Sequence, residues 1–152
     1  MKKYIGIIIV IAGIILDQIS KSFAMNIKES IEIIPNFLNF TYVQNTGIAF
    51  GIAKGANNIF ILIVTLLILF IIGIIYYSYK KEGRIEIGFY LILSGAFGNL
   101  LDRVFKGFVV DFIDTPFIAT FNIADSLICI GVAIALINEF INTIRLNSLK
   151  SK

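Results

Sequence analysis

The chain has 152 residues, of which 58% are hydrophobic and 15% are charged. Soluble domains average roughly 45–50% apolar and about 25% charged residues, so this composition excludes an ordinary soluble fold and predicts a single membrane domain over residues 1–152. The net charge of +3 comes from scattered basic residues rather than from a basic stripe, so no nucleic-acid partner is predicted.

Two absences restrict the chemistry that this chain can perform. It contains no histidine, which excludes histidine general bases, Ser-His or Cys-His nucleophile pairs and histidine metal sites. Its single cysteine, Cys129, cannot form an intramolecular disulfide or a four-cysteine zinc site. We therefore expect no metal and no cofactor, and we expect Cys129 to be a small buried packing residue.

The first predicted span covers residues 4–22 and follows the basic start Met1-Lys2-Lys3. This start also resembles a signal peptide, with Ser22-Phe23-Ala24 as a candidate cleavage site. An uncleaved helix is favoured because Asp17 and Lys21, near its end, are i,i+4 neighbours that can form an ion pair. The alternative interpretation of this pair is a helix end whose charged side chains snorkel to the membrane surface.

Residues 26–57 are less hydrophobic, and their pattern changes. Leucine and aromatic side chains alternate with other residues from Leu38 to Val43, and this period of two predicts short strands. Its apolar runs are too short, and the segment is too polar, to cross a membrane. We expect a small β-containing lobe outside the membrane, with an ordinary structured loop as the alternative.

Three further apolar segments complete the predicted bundle. Residues 58–78 supply the roughly twenty apolar residues of a spanning helix. The third span, residues 85–104, contains Ser94-x-x-x-Gly98, a spacing that lets a partner helix approach closely. The fourth span is predicted at residues 123–144. The predicted fold class is thus an all-α polytopic membrane protein, with four transmembrane helices and a small extracytoplasmic β-containing lobe between helices 1 and 2.

The basic residues are distributed unequally about these spans. Eight lie on the side of the termini and five lie on the other side, the larger set being Lys2, Lys3, Lys80, Lys81, Arg84, Arg145, Lys150 and Lys152. By the positive-inside rule, both termini are predicted to be cytoplasmic. The lobe and the loop at residues 105–121 are then predicted to lie at the extracytoplasmic face.

The stretch from Gly95 to Asp125 concentrates polar side chains between two apolar segments, and such groups at a membrane boundary predict a functional site. Helical spacing places Asn99, Asp102 and Arg103 on one face of the third span, with Gly95. Asn122 and Asp125 share one face at the start of the fourth span. Between them, an extended piece at residues 109–112 carries Asp111, and a loop with Pro116 can fold back to bring the Asp111 and Asp125 carboxyl groups together.

Two carboxyl groups that share a site cannot both ionise cheaply, so one holds a proton while the other stays charged. The charged acid can activate a water molecule and the protonated acid can protonate a carbonyl or a leaving amine, while Asn99, Arg103 and Asn122 are expected to orient the pair. Four alternatives remain at this point: structural ion pairing, a small ion- or proton-coupled transporter, a Ser-Lys peptidase using Ser20 or Ser22 with Lys21, and a non-catalytic assembly protein, which would leave the acid pair unexplained. The transporter would place its acids near the bilayer midplane, and Lys21 is poorly aimed at either serine on a helix.

Five motifs in chain order carry a resemblance to a known family, and they span nearly the whole chain. They are Leu16-Asp17-Gln18-x-x-Lys21, Asn45-x-Gly47-x-Ala49-Phe50, Asn99-Leu-Leu-Asp102-Arg103, Val110-Asp111-Phe112 and Phe121-Asn122-Ile123-Ala124-Asp125. Together they resemble the lipoprotein signal peptidase (signal peptidase II) family. The resemblance implies an aspartyl endopeptidase of the bacterial cell membrane that cleaves diacylglyceryl-modified prolipoproteins just before the lipidated cysteine.

The resemblance also assigns roles to individual residues. Asp111 and Asp125 match the catalytic pair of the family. The supporting or substrate-binding positions are matched by Asn99, Arg103, Asn122, Asn45, Gly47, Asp17, Lys21 and Asp102, of which Asp102 is expected to be mainly structural. Asp114 is not a catalytic position and is interpreted as a residue of a solvated loop. The implied partners are lipidated prolipoproteins and membrane lipid, and a monomer is expected.

Overall fold

The computed structural model describes residues 2–47, 57–83 and 86–150. Four helices make up most of this part of the chain: α1 (Lys2–Ala24), α2 (Asn57–Glu82), α3 (Ile87–Phe105) and α4 (Ile123–Lys150). They lie where the four apolar segments predicted helices. The motif residues Ala49 and Phe50, and the predicted start of the third span at residue 85, lie outside the described residues.

Three of the four helices have the length and hydropathy of a membrane span, namely Tyr4–Ala24, Asn57–Lys81 and Ile123–Arg145 within the described ranges. The predicted span at residues 85–104 corresponds to α3, which is not among them. The reason is its position, because α3 packs against each of the other three helices. A central helix needs fewer lipid-compatible residues, and α3 buries polar side chains such as Ser94 and Asp102 instead.

The prediction of an all-α fold is wrong in one respect, because the strands form a sheet larger than a local lobe. The strands β1 (Ile31–Ile34), β2 (Leu38–Asn45), β3 (Val109–Thr115) and β4 (Ile118–Phe121) form an antiparallel sheet in chain order. The lobe between helices 1 and 2 therefore supplies only half of it. An isolated two-stranded hairpin is marginally stable, and pairing of β2 with β3 joins the two hairpins into one sheet.

The exterior of the helices is apolar, as expected for a protein surrounded by lipid. Large side chains such as Leu66, Phe70, Leu136 and Phe140 are exposed along α2 and α4. Cys129 is also exposed on α4, so the prediction of a buried packing residue is wrong. The error has a physical cause: a membrane helix can turn apolar residues toward lipid, so an apolar run does not imply burial inside the protein.

Small residues allow α3 to approach α1 and α4 closely. Gly95 lies against the backbone carbonyl of Ala124 in α4, and Gly98 lies against the Asp17 carboxylate and the Ala124 side chain. Ser94 Oγ donates a hydrogen bond to the Val10 carbonyl at 3.2 Å. The close approach predicted from Ser94-x-x-x-Gly98 is confirmed, and it brings the polar ends of the three helices together.

We expect Gly95→Ala to destabilise the bundle, because a methyl group at this position would overlap the Ala124 carbonyl and overpacking costs about 1–3 kcal/mol. Gly73→Ala is the matched control, since a β-carbon there meets nothing within 4 Å and alanine favours helix over glycine. Thermal unfolding in detergent measures both variants. Equal melting temperatures for the two variants would contradict the close packing of α3 on α4.

Candidate active site

The candidate residues converge at one end of the bundle. The carboxyl-terminal ends of α1 and α3, the amino-terminal end of α4 and the strand β3 meet there. All the predicted site residues lie in the described part of the chain: Asp17, Lys21, Asn45, Gly47, Asn99, Asp102, Arg103, Asp111, Asn122 and Asp125. Elements distant in sequence therefore build one polar site.

Asn122 links the two predicted catalytic carboxylates. It precedes α4 and forms a reciprocal capping arrangement, in which its Oδ1 accepts from the Asp125 backbone N–H at 2.9 Å and Asp125 Oδ2 accepts from the Asn122 backbone N–H at 3.1 Å. Its side-chain Nδ2 donates to Asp111 Oδ1 at 2.7 Å. One residue thus contacts both acids, which places Asp111 and Asp125 in a common site.

Asp111 is held in a desolvated position on β3. Its side chain is 2% exposed, and its Oδ2 accepts a hydrogen bond from Asn45 Nδ2 at 2.8 Å across the sheet. Burial raises the pKa of Asp111 to about 6, against the opposing effect of the Asn45 hydrogen bond and with a further increase from the charge of Asp125. A carboxyl group with this pKa can carry a proton in mildly acidic water.

Asp125 is held from the opposite side by α3. Its Oδ1 accepts from Asn99 Nδ2 at 2.8 Å. Asn99 Oδ1 in turn accepts from Asn122 Nδ2 at 3.2 Å and from Lys21 Nζ at 2.9 Å. Each oxygen of the two acids therefore accepts at least one hydrogen bond from an amide, which fixes the carboxyl groups without neutralising them.

A buried ionic cluster of Lys21, Asp17 and Asp102 contacts this amide network through Asn99. Lys21 Nζ lies 2.8 Å from Asp17 Oδ2 and 3.1 Å from Asp102 Oδ2, and all three side chains are fully buried. Asp17 Oδ1 also accepts from the Ala124 backbone N–H at 2.9 Å, and Asp102 Oδ2 accepts from that of Val110 at 3.0 Å. The snorkelling alternative for Lys21 is therefore wrong, since its ammonium group points into the protein.

The Ser-Lys alternative finds no geometric support at this cluster. The ammonium group of Lys21 is surrounded by the Asp17 and Asp102 carboxylates and the Asn99 amide oxygen. Ser20 Oγ donates to the Asp17 carbonyl at 2.7 Å within its own helix. Neither group is arranged to act as a nucleophile and its base.

Arg103 does not orient the acid pair in the way predicted from the sequence. Its Nη2 donates to the Gly47 carbonyl at 3.1 Å, and its guanidinium lies 4.7 Å from the centre of the Phe60 ring. Its Nη1 is buried with no hydrogen-bond partner in the described part of the chain. Arg103 therefore connects the lobe to α2 and α3, and it acts on the acids through its charge rather than through hydrogen bonds.

Sequence reasoning missed two members of the ionic cluster. Gln18 Nε2 lies 3.1 Å from Asp17 Oδ2, 3.2 Å from Asp102 Oδ1 and 3.1 Å from the Gly98 carbonyl. Lys106 Nζ lies 2.7 Å from Asp102 Oδ1. The i,i+4 spacing of Asp102 and Lys106 was a usable signal, whereas the contacts of Gln18 depend on the packing of α1 against α3.

Asp114 lies on β3 rather than in a solvated loop, so that interpretation is wrong. It is half-buried and accepts a hydrogen bond from Thr120 Oγ1 of β4 at 3.1 Å. The residue is separate from the hydrogen bonds that hold Asp111 and Asp125. It therefore provides a carboxylate on the same strand that can serve as an experimental control.

Comparison with known proteins gives consistent matches. A family model described as signal peptidase (SPase) II matches residues 9–141. A lipoprotein signal peptidase of Clostridium novyi is 46% identical over 147 residues, covering 88% of this chain and 97% of that protein. The corresponding protein of Staphylococcus haemolyticus is 40% identical, with coverages of 90% and 92%. A solved bacterial membrane enzyme is 35% identical and superposes with a TM-score of 0.79, covering 91% of this chain and 88% of that one.

The pKa of Asp111 sets the sign of a stability change with pH. The carboxyl group has an ordinary pKa of 3.8, and burial raises it to about 6 in the folded protein. The folded state therefore binds this proton more tightly than the unfolded state. The stability that Asp111 contributes is fully present below pH 3.8 and is lost as the pH rises through about 6.

We expect thermal unfolding in detergent to show this decline for the unaltered chain and to lose it in the Asp111→Asn variant. The Asp114→Asn variant is the control and should retain the decline that Asp111 causes. If Asp111→Asn unfolds with the same pH dependence as the unaltered chain, the desolvated state of Asp111 is refuted.

Proposed function

Because the chain belongs to the signal peptidase II family, we propose that it cleaves the signal peptide from lipid-modified prolipoproteins, with Asp111 and Asp125 as its catalytic acids. The family model and the relatives confirm the resemblance carried by the sequence motifs. The single observation that supports the two acids is their shared partner, since Asn122 hydrogen-bonds to both.

The proposed mechanism uses the pair in its singly protonated state. The charged acid takes a proton from a water molecule while the water oxygen attacks the carbon of the scissile carbonyl. The protonated acid gives its proton to the carbonyl oxygen, which forms a neutral tetrahedral intermediate. As the intermediate collapses, the acid that gave its proton to the carbonyl oxygen takes a proton from a hydroxyl group. The other acid gives the proton it took from water to the leaving nitrogen, and the carbon–nitrogen bond breaks. These steps use the residues of this chain and invoke no cofactor.

The amide groups around the pair support a state in which one acid is charged and the other is protonated. Asn45 and Asn122 donate to Asp111, and Asn99 donates to Asp125. Such donors stabilise the charged form of a carboxyl group, whereas burial favours its neutral form. The balance keeps one proton within the pair, which neither effect would achieve alone.

The location of the site fits a substrate that is anchored in the membrane. We propose that both termini are cytoplasmic and that the site lies at the extracytoplasmic face of the cell membrane, where water reaches the peptide. The sheet carries exposed aromatic residues at two turns, with Phe37 and Phe117 6.2 Å apart between ring centres. These side chains lie at the end of the sheet away from Asp111 and are suited to contact the lipid surface.

The transporter alternative is not supported by the relatives, which are named lipoprotein signal peptidases. The geometry also disfavours it, because the acids lie where helices end and meet a sheet. A coupling site in a transporter is expected near the middle of the membrane and between broken helices. We propose that the chain works as a monomer, since its own residues form the whole acid cluster.

We expect Asp111→Asn and Asp125→Asn each to lower cleavage by at least about a hundredfold, because each substitution removes the base or the shared proton. The measurement is cleavage of a lipidated prolipoprotein by the purified protein in nanodiscs. Asp114→Asn is the matched control on β3 and should remain active. Near-normal turnover in either of the first two variants, with the fold intact, would refute the catalytic pair.

The pH dependence of cleavage should be bell-shaped. The rate falls at low pH when a second proton binds, and it falls at high pH when the shared proton leaves. Because the pKa of Asp111 is raised to about 6, kcat/KM should decline above about this pH. Bound substrate excludes further water, so the corresponding decline in kcat should lie at higher pH. Single-turnover rates measured across pH test this, and a rate that is flat from acidic to neutral pH would reject the shared proton.

A further inference from the structure

The Asn99 side chain lies between the ionic cluster and the carboxylate pair, and the orientation of its amide decides which atom faces Asp125. Its Oδ1 accepts from Lys21 Nζ at 2.9 Å, while its Nδ2 donates to Asp125 Oδ1 at 2.8 Å. A terminal amide has two orientations in which its oxygen and nitrogen exchange places. In one orientation the amide N–H donates a hydrogen bond to Asp125, and in the other the amide oxygen faces the Asp125 carboxyl group.

Lys21 is compatible with only one of these orientations, because an ammonium group donates three hydrogens and accepts none. Its three acceptors are Asp17 Oδ2 at 2.8 Å, Asp102 Oδ2 at 3.1 Å and Asn99 Oδ1 at 2.9 Å. The Lys21 side chain is fully buried, so bulk water cannot replace a lost acceptor. Turning the amide over would direct its hydrogens at the ammonium group and leave a buried donor unpaired.

We propose that Lys21 is a positioning residue that fixes the direction of the Asn99 amide and thereby selects the ionised form of Asp125. This inference rests on the proposed function, in which one acid is charged and the other holds the shared proton. It assigns the charged role, and hence the proton transfer from water, to Asp125. It assigns the shared proton to Asp111.

The consequence of losing Lys21 follows from the same geometry. Without the ammonium group, the remaining donor to Asn99 Oδ1 is Asn122 Nδ2 at 3.2 Å, which also donates to Asp111 Oδ1 at 2.7 Å. Asn99 then turns its oxygen toward Asp125 more readily, and that contact is favourable only when Asp125 carries a proton. The proton then lies on the acid that should act as the base. The loss of the positive charge also favours protonation of Asp111, since Lys21 lowers the pKa of that group.

Substitution of a second lysine, Lys106, distinguishes the effect of the Asn99 amide orientation from the effect of positive charge. The charged groups around Lys21 are Asp17 from α1, Asp102 from α3, and Asp111 and Asp125 beyond Asn99. The Arg103 guanidinium of α3 acts on Asp102, Asp111 and Asp125 through its charge and is unchanged in both lysine variants. Lys106 lies 2.7 Å from Asp102 Oδ1 on the other side of that carboxylate. Its hydrogen bond to Asp102 involves no atom of Asn99. Lys106→Met therefore removes a positive charge from the same cluster but keeps the hydrogen bond from Lys21 Nζ to Asn99 Oδ1.

The test compares Lys21→Met with Lys106→Met by single-turnover cleavage of a lipidated prolipoprotein across pH. We expect Lys21→Met to cleave at least about tenfold more slowly near neutral pH, with the acidic limb of the profile moved up by about one pH unit. In Lys106→Met, the acidic and basic limbs of the pH–rate profile should stay where they are in the unaltered chain. Equal shifts in both variants would show that charge alone acts, and an unshifted Lys21→Met profile would also overturn the proposal.

A measurement on the unaltered chain keeps the proposal testable if Lys21→Met does not fold. With ¹⁵N-asparagine labelling in nanodiscs, the Asn99 side-chain resonance is the one that Asn99→Gln lacks. Because Nδ2 donates to Asp125, its shift should change across the acidic limb of the rate profile, where Asp125 gains a proton, and stay constant across the basic limb, where Asp111 loses the shared proton. A shift that changes mainly across the basic limb, or across neither limb, would overturn the proposal.

Asp111→Asn separates failure of this inference from failure of the proposed function. If that variant still cleaves at a near-normal rate, the catalytic pair itself is wrong. If it is inactive while Lys21→Met keeps the profile of the unaltered chain, only the positioning role of Lys21 is wrong.

Discussion

The buried contact between Lys21 and the carboxylates of Asp17 and Asp102 is the interaction on which the site depends. A charge inside a lipid-facing bundle has no water to stabilise it, so its partners must come from the protein itself. Here the partners come from α1 and α3, and the same carboxylates bind backbone N–H groups at the start of α4 and on β3. Removing Lys21 would leave the buried Asp17 carboxylate without its ammonium partner, so this residue constrains four elements at once.

The two acids above this cluster experience opposing effects. Burial favours the neutral form of Asp111, while amide donors and the nearby lysine favour its charged form. Asn99 and Asn122 connect the two levels, because each is bonded both to an acid and to the other amide. The buried ion pairs therefore position the Asn99 and Asn122 amides, and these amides position the two acids through hydrogen bonds.

Much of this arrangement follows from local sequence, and the rest depends on contacts between distant segments. Apolar length located the four helices, and alternation located β2. Helical spacing placed Asn99 and Asp102 on one face. The pairing of β2 with β3 joins residues far apart in the chain, so no local pattern could reveal the single sheet. The partner of Arg103 was missed for the same reason, since Gly47 approaches it only when the lobe folds over α3.

The strand pairing has a consequence for how the protein is made. During synthesis β2 emerges before α2 and α3, and its partner β3 follows both helices. Until then the exposed edge of β2 has no neighbour on that side, and Asn45 has no Asp111 to bind. Pairings between such distant segments form late because the intervening chain must first be ordered. A ribosome-bound fragment that ends before Asn122 lacks both Asn122 and Asp125, so the polar site is assembled only after the last helix begins to insert.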